Sequence, residues 1–164
     1  NHALLVDRVA QLLEQSGLPG DALELELTES ILMQQAEQTI ETLHRLKAIG
    51  VHIAIDDFGT GYSSLGYLKR FPIDTLKMDQ SFIRDIANGG NDAAIIETII
   101  TLGNSLGIAV VAEGVESRLQ LDFLLAHQCD AIQGYYFSQA LPSSEMTLLL
   151  MEGRRLELTA PERA

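Results

Sequence analysis

Acidic side chains recur at the ends of apolar, alternating segments of this sequence. The segment IAIDDFGTGYSS, residues 53–64, closes its apolar run with the adjacent pair Asp56 and Asp57. Glu26 lies near the end of LELEL, and Glu113 ends AVVAE. Carboxylates that share a site repel one another unless cations neutralise them. Oxygen ligands without a Cys or His cluster suit magnesium, manganese or calcium better than zinc.

These residue types would suit the hydrolysis of a phosphate ester. A carboxylate at Asp56 or Asp57 would bridge two metal ions about 3.5–4 Å apart, the arrangement that many phosphate-cleaving enzymes use. Lys77 in TLKMD would hold the attacking hydroxide through a charge-assisted hydrogen bond. A single acid at a strand end is more often a solvated residue or a helix cap, so the prediction depends on several acids meeting at one edge.

The alternation of side chains predicts that these acids do meet. Successive residues of a strand face opposite sides of its sheet. Glu26 therefore faces away from Leu25 and Leu27, and Asp56 faces away from Ile53 and Ile55. The same parity places Lys77 with Asp79, and Glu113 with Val111. Each of four strands is thus expected to direct a carboxylate to the inner face at its carboxyl end.

The order of the predicted elements favours a barrel. Amphipathic helices that end at glycines alternate with five apolar strands, and the marker residues at the strand ends lie 20 to 34 residues apart. Strands separated by helices in this way form parallel βαβ units. No Gly-x-Gly-x-x-Gly follows an early strand, which disfavours a dinucleotide-binding sheet. We expect an α/β fold, a parallel (β/α) barrel of TIM type over residues 1–151, and a tail over 152–164.

Composition narrows the class of partner and the location. The 164 residues carry 23 acids and 11 bases, for a net charge of −12. A surface this negative repels nucleic acid polymers and anionic lipid. No apolar run reaches the roughly 18 residues of a membrane span, and the lone Cys129 predicts a reducing compartment. The expected location is the cytoplasm, including the cytoplasmic part of a larger, membrane-attached protein.

Five motifs, taken together, carry a family resemblance. The segments ELTES, IDDFGTGYSSL, LKMDQSFI, VVAEGVES and QGYYFS, in this order and spacing, resemble the EAL-domain family of cyclic-di-GMP phosphodiesterases. The match runs from Leu4 to Glu145. It implies a modified (β/α)₈ barrel that hydrolyses cyclic di-GMP to linear pGpG with two divalent cations, Mg²⁺ or Mn²⁺. It also implies a homodimer and upstream domains in the full-length protein.

The resemblance assigns roles to eleven positions of this sequence. The implied metal ligands are Glu26, Asp56, Asp57 and Glu113. The implied catalytic residues are Lys77, Asp79 and Glu113. The residues implied to contact substrate or to support loops are Glu29, Glu116, Gln133, Gly59 and Gly61.

The sequence also departs from the family pattern. The Glu-Ala-Leu motif and a strand Asn, both metal ligands in the family, precede the matched segment and are absent from this chain. Roughly a third of a barrel of about 250 residues is therefore missing. We expect a truncated domain with at most weak activity by itself, or one that takes strands from a partner. The main alternative is an inactive EAL-like domain that serves as a cyclic-di-GMP receptor or a protein-interaction scaffold. A different metal-dependent barrel enzyme, such as an enolase-like lyase, fits the five motifs poorly.

Overall fold

Five parallel strands form one sheet with helices between them. The computed structural model describes residues 2–33, 36–60, 65–84, 86, 91–153 and 155–156. The strands are β1 (Glu24–Thr28), β2 (His52–Phe58), β3 (Thr75–Met78), β4 (Ala109–Glu113) and β5 (Ala131–Gln133). The helices are α1 (His2–Ser16), α2 (Glu29–Met33), α3 (Ala36–Ala48), α4 (Leu65–Leu68), α5 (Gln80–Arg84), α6 (Asn91–Leu106), α7 (Arg118–Ala126) and α8 (Ser143–Met151).

The strand order decides between the two α/β architectures. The strands are hydrogen-bonded in the order β1-β2-β3-β4-β5, and every pairing is parallel. Doubly wound sheets reverse their strand order at a switch point, whereas the strands of a TIM barrel follow one another in sequence. The sequential order agrees with the predicted barrel-type fold.

One face of the sheet forms the core with the helices. A row of apolar side chains crosses the sheet in register, from Leu27 through Ile55 and Leu76 to Val110. The last three are almost completely buried, together with side chains of α3, α6 and α7. Because this face is taken by apolar residues, the alternate residues of the same strands lie on the opposite face. Glu26, Asp56 and Lys77 belong to that second set.

Two strands are shorter than the sequence suggested. The run ALELELTES predicted one strand, but β1 ends at Thr28 and a helix begins at Glu29. The run AIQGYYFSQAL predicted a strand to Leu141, but β5 ends at Gln133. After Gly134 the chain turns, and the Tyr136 amide donates to the Val115 carbonyl at 2.9 Å. Of the predicted tail, residues 154 and 157–164 lie outside the described ranges. Among the helices that the structure describes, none is long and apolar enough to cross a bilayer.

Asp74 ties the amino ends of the strands together. Its carboxylate accepts from Lys47 Nζ at 2.7 Å on both oxygens and from the Ile53 amide at 2.9 Å. Burial alone would raise the pKa of Asp74, but these hydrogen bonds lower it below its ordinary value of 3.8. A carboxyl whose pKa falls on folding stabilises the fold at higher pH, and that stabilisation disappears as the pH drops through the folded value.

We expect Asp74→Asn to reduce the free energy of unfolding at pH 7 by about 1–3 kcal/mol, since hydrogen bonds to a charged group are lost. Urea unfolding between pH 7 and pH 3 measures the effect. The difference from the wild type should begin to shrink below about pH 4, where Asp74 of the unfolded chain is protonated, and should vanish as the pH drops through the lowered folded pKa. Asp7→Asn is the control, because the Asp7–Arg45 pair spans 3.4 Å between exposed side chains. An equal loss at pH 7 and pH 3 would contradict the ionic explanation.

Candidate metal and phosphate site

A buried lysine stands where three strands bring carboxylates together. Lys77 Nζ lies 2.8 Å from Glu26 Oε1, 2.7 Å from Glu113 Oε1 and 3.5 Å from Asp56 Oδ1. Its side chain is only 9% exposed. The three acids belong to β1, β4 and β2, so their meeting depends on the parity and register of the whole sheet. Three of the predicted metal ligands thus surround a predicted catalytic residue.

The surrounding acids keep Lys77 charged. Burial alone would lower the pKa of Lys77, because a desolvated ammonium loses its hydration. Hydrogen bonds to Glu113 and Glu26, with the charge of Asp56, outweigh burial and raise the pKa well above its ordinary range. The ammonium is therefore a fixed positive charge at the centre of the acidic edge.

A bulge in β2 explains the adjacent aspartates. Ile55 pairs with Leu76 and Phe58 pairs with Met78, so two residues of β2, Asp56 and Asp57, stand opposite one residue of β3. Asp57 has φ +53°, a left-handed conformation that few residues other than Gly adopt. Bulges of this kind redirect side chains, often beside active sites. The irregular backbone frees Asp57 from the strict alternation that would send it to the opposite face from Asp56.

Asp57 and Asp79 form a carboxyl pair. Desolvation, the charges of Asp56 and Asp79, and a hydrogen bond with Asp79 raise the pKa of Asp57. Hydrogen bonds from Ser81, including its amide at 2.9 Å, lower the pKa of Asp79. As the pH falls, Asp57 is therefore the first of the two to take up a proton, while the Asp79 carboxylate accepts from the Ser81 amide at the start of α5.

Glu29 holds the loop that follows the aspartates. This glutamate is buried, and its Oε2 accepts from the Gly59 amide at 3.3 Å. Gly59 has φ +97°, and a Cβ added there would lie 3.0 Å from the Phe82 ring. Both the conformation and the close packing require glycine. Gly61 lies outside the described residues.

Glu116 and Gln133 line a groove next to the carboxylate cluster. The groove has a volume of about 930 Å³, and Glu113, Arg84, Tyr135 and Phe137 also border it. Glu116 is exposed in the loop after β4, and Gln133 is the last residue of β5. All eleven predicted positions except Gly61 are thus described. Glu116 and Gln133 lie in the groove rather than among the side chains that contact Lys77.

The carboxylate oxygens of the site are the donor type that a hard divalent cation prefers. Asp56 Oδ1 is buried and, among the described residues, accepts no hydrogen bond. An unsatisfied buried carboxylate oxygen is costly unless a charge lies close by, and it suits a metal ligand. Within the same residues, however, no three Asp, Glu, His or Cys side chains are grouped closely enough to hold a metal ion. The ammonium of Lys77 lies between the acids and separates them.

Sequence patterns alone missed a buried glutamine near this site. Gln120 lies in the first turn of α7 and is 8% exposed. Its side chain accepts from the amides of Glu116 and Ser117 at 2.8 and 2.9 Å. The signal was available, because Ser117 and Gln120 have the S-x-x-Q spacing of a capping box.

Comparison with protein families identifies the domain. The family model described as EAL domain matches residues 1–140. The chain belongs to the EAL domain family. The residues that surround Lys77 in this EAL domain all lie within the matched segment.

Named relatives of this EAL domain include a cyclic di-GMP phosphodiesterase. It is 53% identical over 140 residues to Cyclic di-GMP phosphodiesterase NbdA of Pseudomonas aeruginosa, a match that covers 85% of this chain and 18% of NbdA. This chain therefore spans less than a fifth of that relative's length.

Two solved structures resemble this EAL domain in fold. The PaMucR phosphodiesterase in its c-di-GMP complex has a TM-score of 0.85 and 45% identity, covering 88% of this chain and 59% of that one. MucR is a protein of P. aeruginosa. The manganese and c-di-GMP complex of Klebsiella pneumoniae BlrP1 has a TM-score of 0.74 and 37% identity, covering 81% of this chain and 35% of that one.

Gly134 lets the end of β5 approach the segment that follows β4. A Cβ at Gly134 would collide with the backbone oxygen and nitrogen of Val115 and would lie 2.7 Å from its carbonyl carbon. Two hydrogen bonds run through this contact, from Val115 N to Gln133 O at 3.1 Å and from Tyr136 N to Val115 O at 2.9 Å. The backbone fixes the position of the alanine Cβ, so no side-chain rotation can relieve such a clash.

We expect Gly134→Ala to lower the free energy of unfolding by about 2–3 kcal/mol, because backbone must shift to admit the methyl group. Thermal or urea unfolding measures this loss. Gly107→Ala is the matched control: Gly107 has φ +70° but open space around an added Cβ, so only the cost of a left-handed backbone for alanine, about 1–2 kcal/mol, applies. Equal losses for the two variants would show that the contact with Val115 is unimportant.

Proposed function

We propose that this chain is the catalytic part of a metal-dependent phosphodiesterase that hydrolyses cyclic di-GMP to linear pGpG. The observation that carries the proposal is the meeting of three carboxylates from β1, β2 and β4 around the buried Lys77. A groove large enough for part of a dinucleotide adjoins it. The relationship to NbdA and PaMucR supports the substrate, since their names specify this nucleotide.

The proposed metal ligands are the acids at the strand ends. Glu26, Asp56, Asp57 and Glu113 would hold two divalent cations, Mg²⁺ or Mn²⁺. When bound, such cations neutralise phosphate charge and make a bound water acidic enough to supply hydroxide near neutral pH. The BlrP1 complex with manganese and c-di-GMP supports a divalent cation in this family.

The remaining residues would position the reacting groups. Lys77, held charged by its neighbours, would orient the attacking oxygen through a charge-assisted hydrogen bond. Asp79 would act beside it by holding Asp57 and the start of α5 in place. Glu29 and Gly59, with Gly61, would support the loop after β2, while Glu116 and Gln133 would border the substrate in the groove.

A receptor or scaffold that binds cyclic di-GMP without hydrolysing it is the second candidate. One observation favours it: among the described residues no three acidic side chains are spaced to hold a metal ion. A degenerate domain of this kind would keep the groove and lose turnover. The two candidates differ in product, not in ligand.

The test is an assay of the full-length protein with cyclic di-GMP. With Mn²⁺ present we expect linear pGpG as the product by chromatography, and no product after treatment with EDTA. Binding of cyclic di-GMP without product would select the receptor. A protein that neither binds nor hydrolyses the nucleotide would contradict both candidates.

We further propose that the protein acts in the cytoplasm, as a homodimer, joined to other domains. The lone Cys129 suits a reducing compartment, and the much greater length of NbdA suits a multidomain protein. Light scattering of the full-length protein tests the dimer, and a monomer at micromolar concentration would exclude it.

A further inference from the structure

The side chain of Gln120 links helix α5 to the loop that follows β4. Its Oε1 accepts from the amides of Glu116 and Ser117, and its Nε2 donates to the Ile83 carbonyl at 3.0 Å. The last bond is buried and joins residues 37 positions apart. Two amide donors face one side-chain atom and a carbonyl faces the other, so the arrangement fixes which atom is oxygen and which is nitrogen.

The residue type at position 120 points to more than helix capping. The capping box of α7 needs only a side-chain acceptor at its third position, and Glu serves there as well as Gln. A carboxylate would also interact more favourably with the amino end of the helix. Only the amide supplies a donor to Ile83 O. The link to α5, rather than the cap, therefore explains why position 120 carries glutamine and not glutamate.

Helix α5 and the loop that follows β4 carry different parts of the candidate site. Ile83 belongs to α5, which begins directly after Asp79. Glu116 and Ser117 belong to the loop that follows Glu113. Helix α5 and the loop also approach each other at a second point, since a Cβ added at Gly114 would lie 2.6 Å from the Gln80 Cβ. Gln120 supplies the hydrogen bonds that set the distance between them.

We propose that Gln120 is a positioning residue that holds the Glu113 loop against α5 and so keeps Glu113 in place relative to Lys77 and Asp79. The proposal rests on the proposed function, because its consequence is the geometry of the metal and phosphate site. Replacing a residue that holds a metal ligand in place, without touching the metal itself, typically changes metal affinity or activity 10- to 100-fold.

The experiment compares Gln120→Glu with Ser117→Ala in the full-length protein. Gln120→Glu keeps an acceptor for the amides of Glu116 and Ser117 but loses the donor to Ile83 O. Ser117→Ala removes the other half of the capping box, the 3.3 Å contact with Gln120 N, and leaves the link to Ile83 intact. Mn²⁺ affinity by calorimetry, kcat and KM for cyclic di-GMP, and the melting temperature are measured for both.

We expect Gln120→Glu to weaken Mn²⁺ binding and to lower kcat by about tenfold each, with KM changed less. Ser117→Ala should lower the melting temperature at least as much, yet keep Mn²⁺ affinity and kcat within about twofold of the wild type. Wild-type affinity and kcat in Gln120→Glu, or equal losses in Ser117→Ala, would overturn the proposal. If Gln120→Glu does not fold, Gln120→Met replaces it; this variant loses the donor to Ile83 O together with the acceptor for the amides of Glu116 and Ser117, and the same falls in Mn²⁺ affinity and kcat are expected.

A separate measurement keeps this proposal distinguishable from the proposed function. If the wild type neither binds Mn²⁺ nor hydrolyses cyclic di-GMP, the proposed function fails, and amide hydrogen exchange then tests Gln120 alone. The amides of Ser81 and Phe82 hydrogen-bond to Asp79 at 2.9 and 3.2 Å. These two amides should exchange faster in Gln120→Glu, and their exchange rates should be unchanged in Ser117→Ala. Unchanged exchange in both variants would refute the link.

Discussion

Replacing Lys77 by Met is expected to lower the free energy of unfolding by about 3–5 kcal/mol at pH 7 in the absence of divalent cations. Removing one partner of a buried ion pair leaves the other charges uncompensated, and that loss has this size. Here three carboxylates would face an apolar side chain in place of an ammonium. Their side chains are 47%, 28% and 19% exposed, so water screens part of the charge and the loss should lie at the lower end of this range. Urea unfolding of the wild type and the variant in EDTA measures the loss.

Divalent cations should partly reverse the loss, which makes the prediction specific to the site. Without the ammonium, Glu26, Asp56 and Glu113 repel one another more strongly. A cation that binds them in the folded state relieves that repulsion and stabilises the fold. Mn²⁺ should therefore raise the melting temperature of Lys77→Met by more than that of the wild type. Turnover should stay lost in both conditions, because the positioned charge is gone.

Lys47→Met is the matched control for this experiment. Lys47 lies at the same 2.7 Å from a carboxylate, but its side chain is 29% exposed, against 9% for Lys77. Its loss should cost only about 1 kcal/mol, and Mn²⁺ should not restore it. Equal losses for the two lysines, or no response of Lys77→Met to Mn²⁺, would contradict the role of Lys77 as the counter-charge of the cluster.

The convergence on Lys77 was predictable because strand parity is strict. Period-two alternation assigned Glu26, Asp56 and Lys77 to one face, and parallel strands put their carboxyl ends at one edge. The sequential strand order likewise follows from the alternation of helices and strands. Both predictions used only the identity of the apolar face; the register between strands, on which the contacts with Lys77 depend, comes from the structure.

The details that shape the site depend on contacts that a sequence does not display. The bulge at Asp56 and Asp57 arises from the offset between β2 and β3, which no local pattern encodes. The early end of β5 follows from the contact between Gly134 and Val115, residues from different strand ends. The donor from Gln120 to Ile83 also crosses the chain, so the capping pattern revealed only half of what this side chain does.

Replacing Glu26 by Gln in the full-length protein is expected to lower kcat for cyclic di-GMP by about 10³-fold, equivalent to about 4 kcal/mol. The amide keeps the size of the side chain and an oxygen that accepts from Lys77 Nζ. It removes the negative charge through which Glu26 would bind a cation. Because the Glu26 side chain is 47% exposed, the melting temperature should change little. Steady-state kinetics with Mn²⁺ measures the loss.

Glu24→Gln is the matched control for that loss of activity, since both residues lie on the same strand and share its face. Glu24 is the first residue of β1, two positions before Glu26, and it accepts from Thr75 Oγ1 at 2.9 Å rather than from Lys77. An equal fall in kcat for both variants would show that negative charge anywhere on this face suffices. A Glu26→Gln variant that retains turnover would remove Glu26 from the ligand set. Loss at Glu26 alone would tie catalysis to the edge where Lys77 gathers the acids.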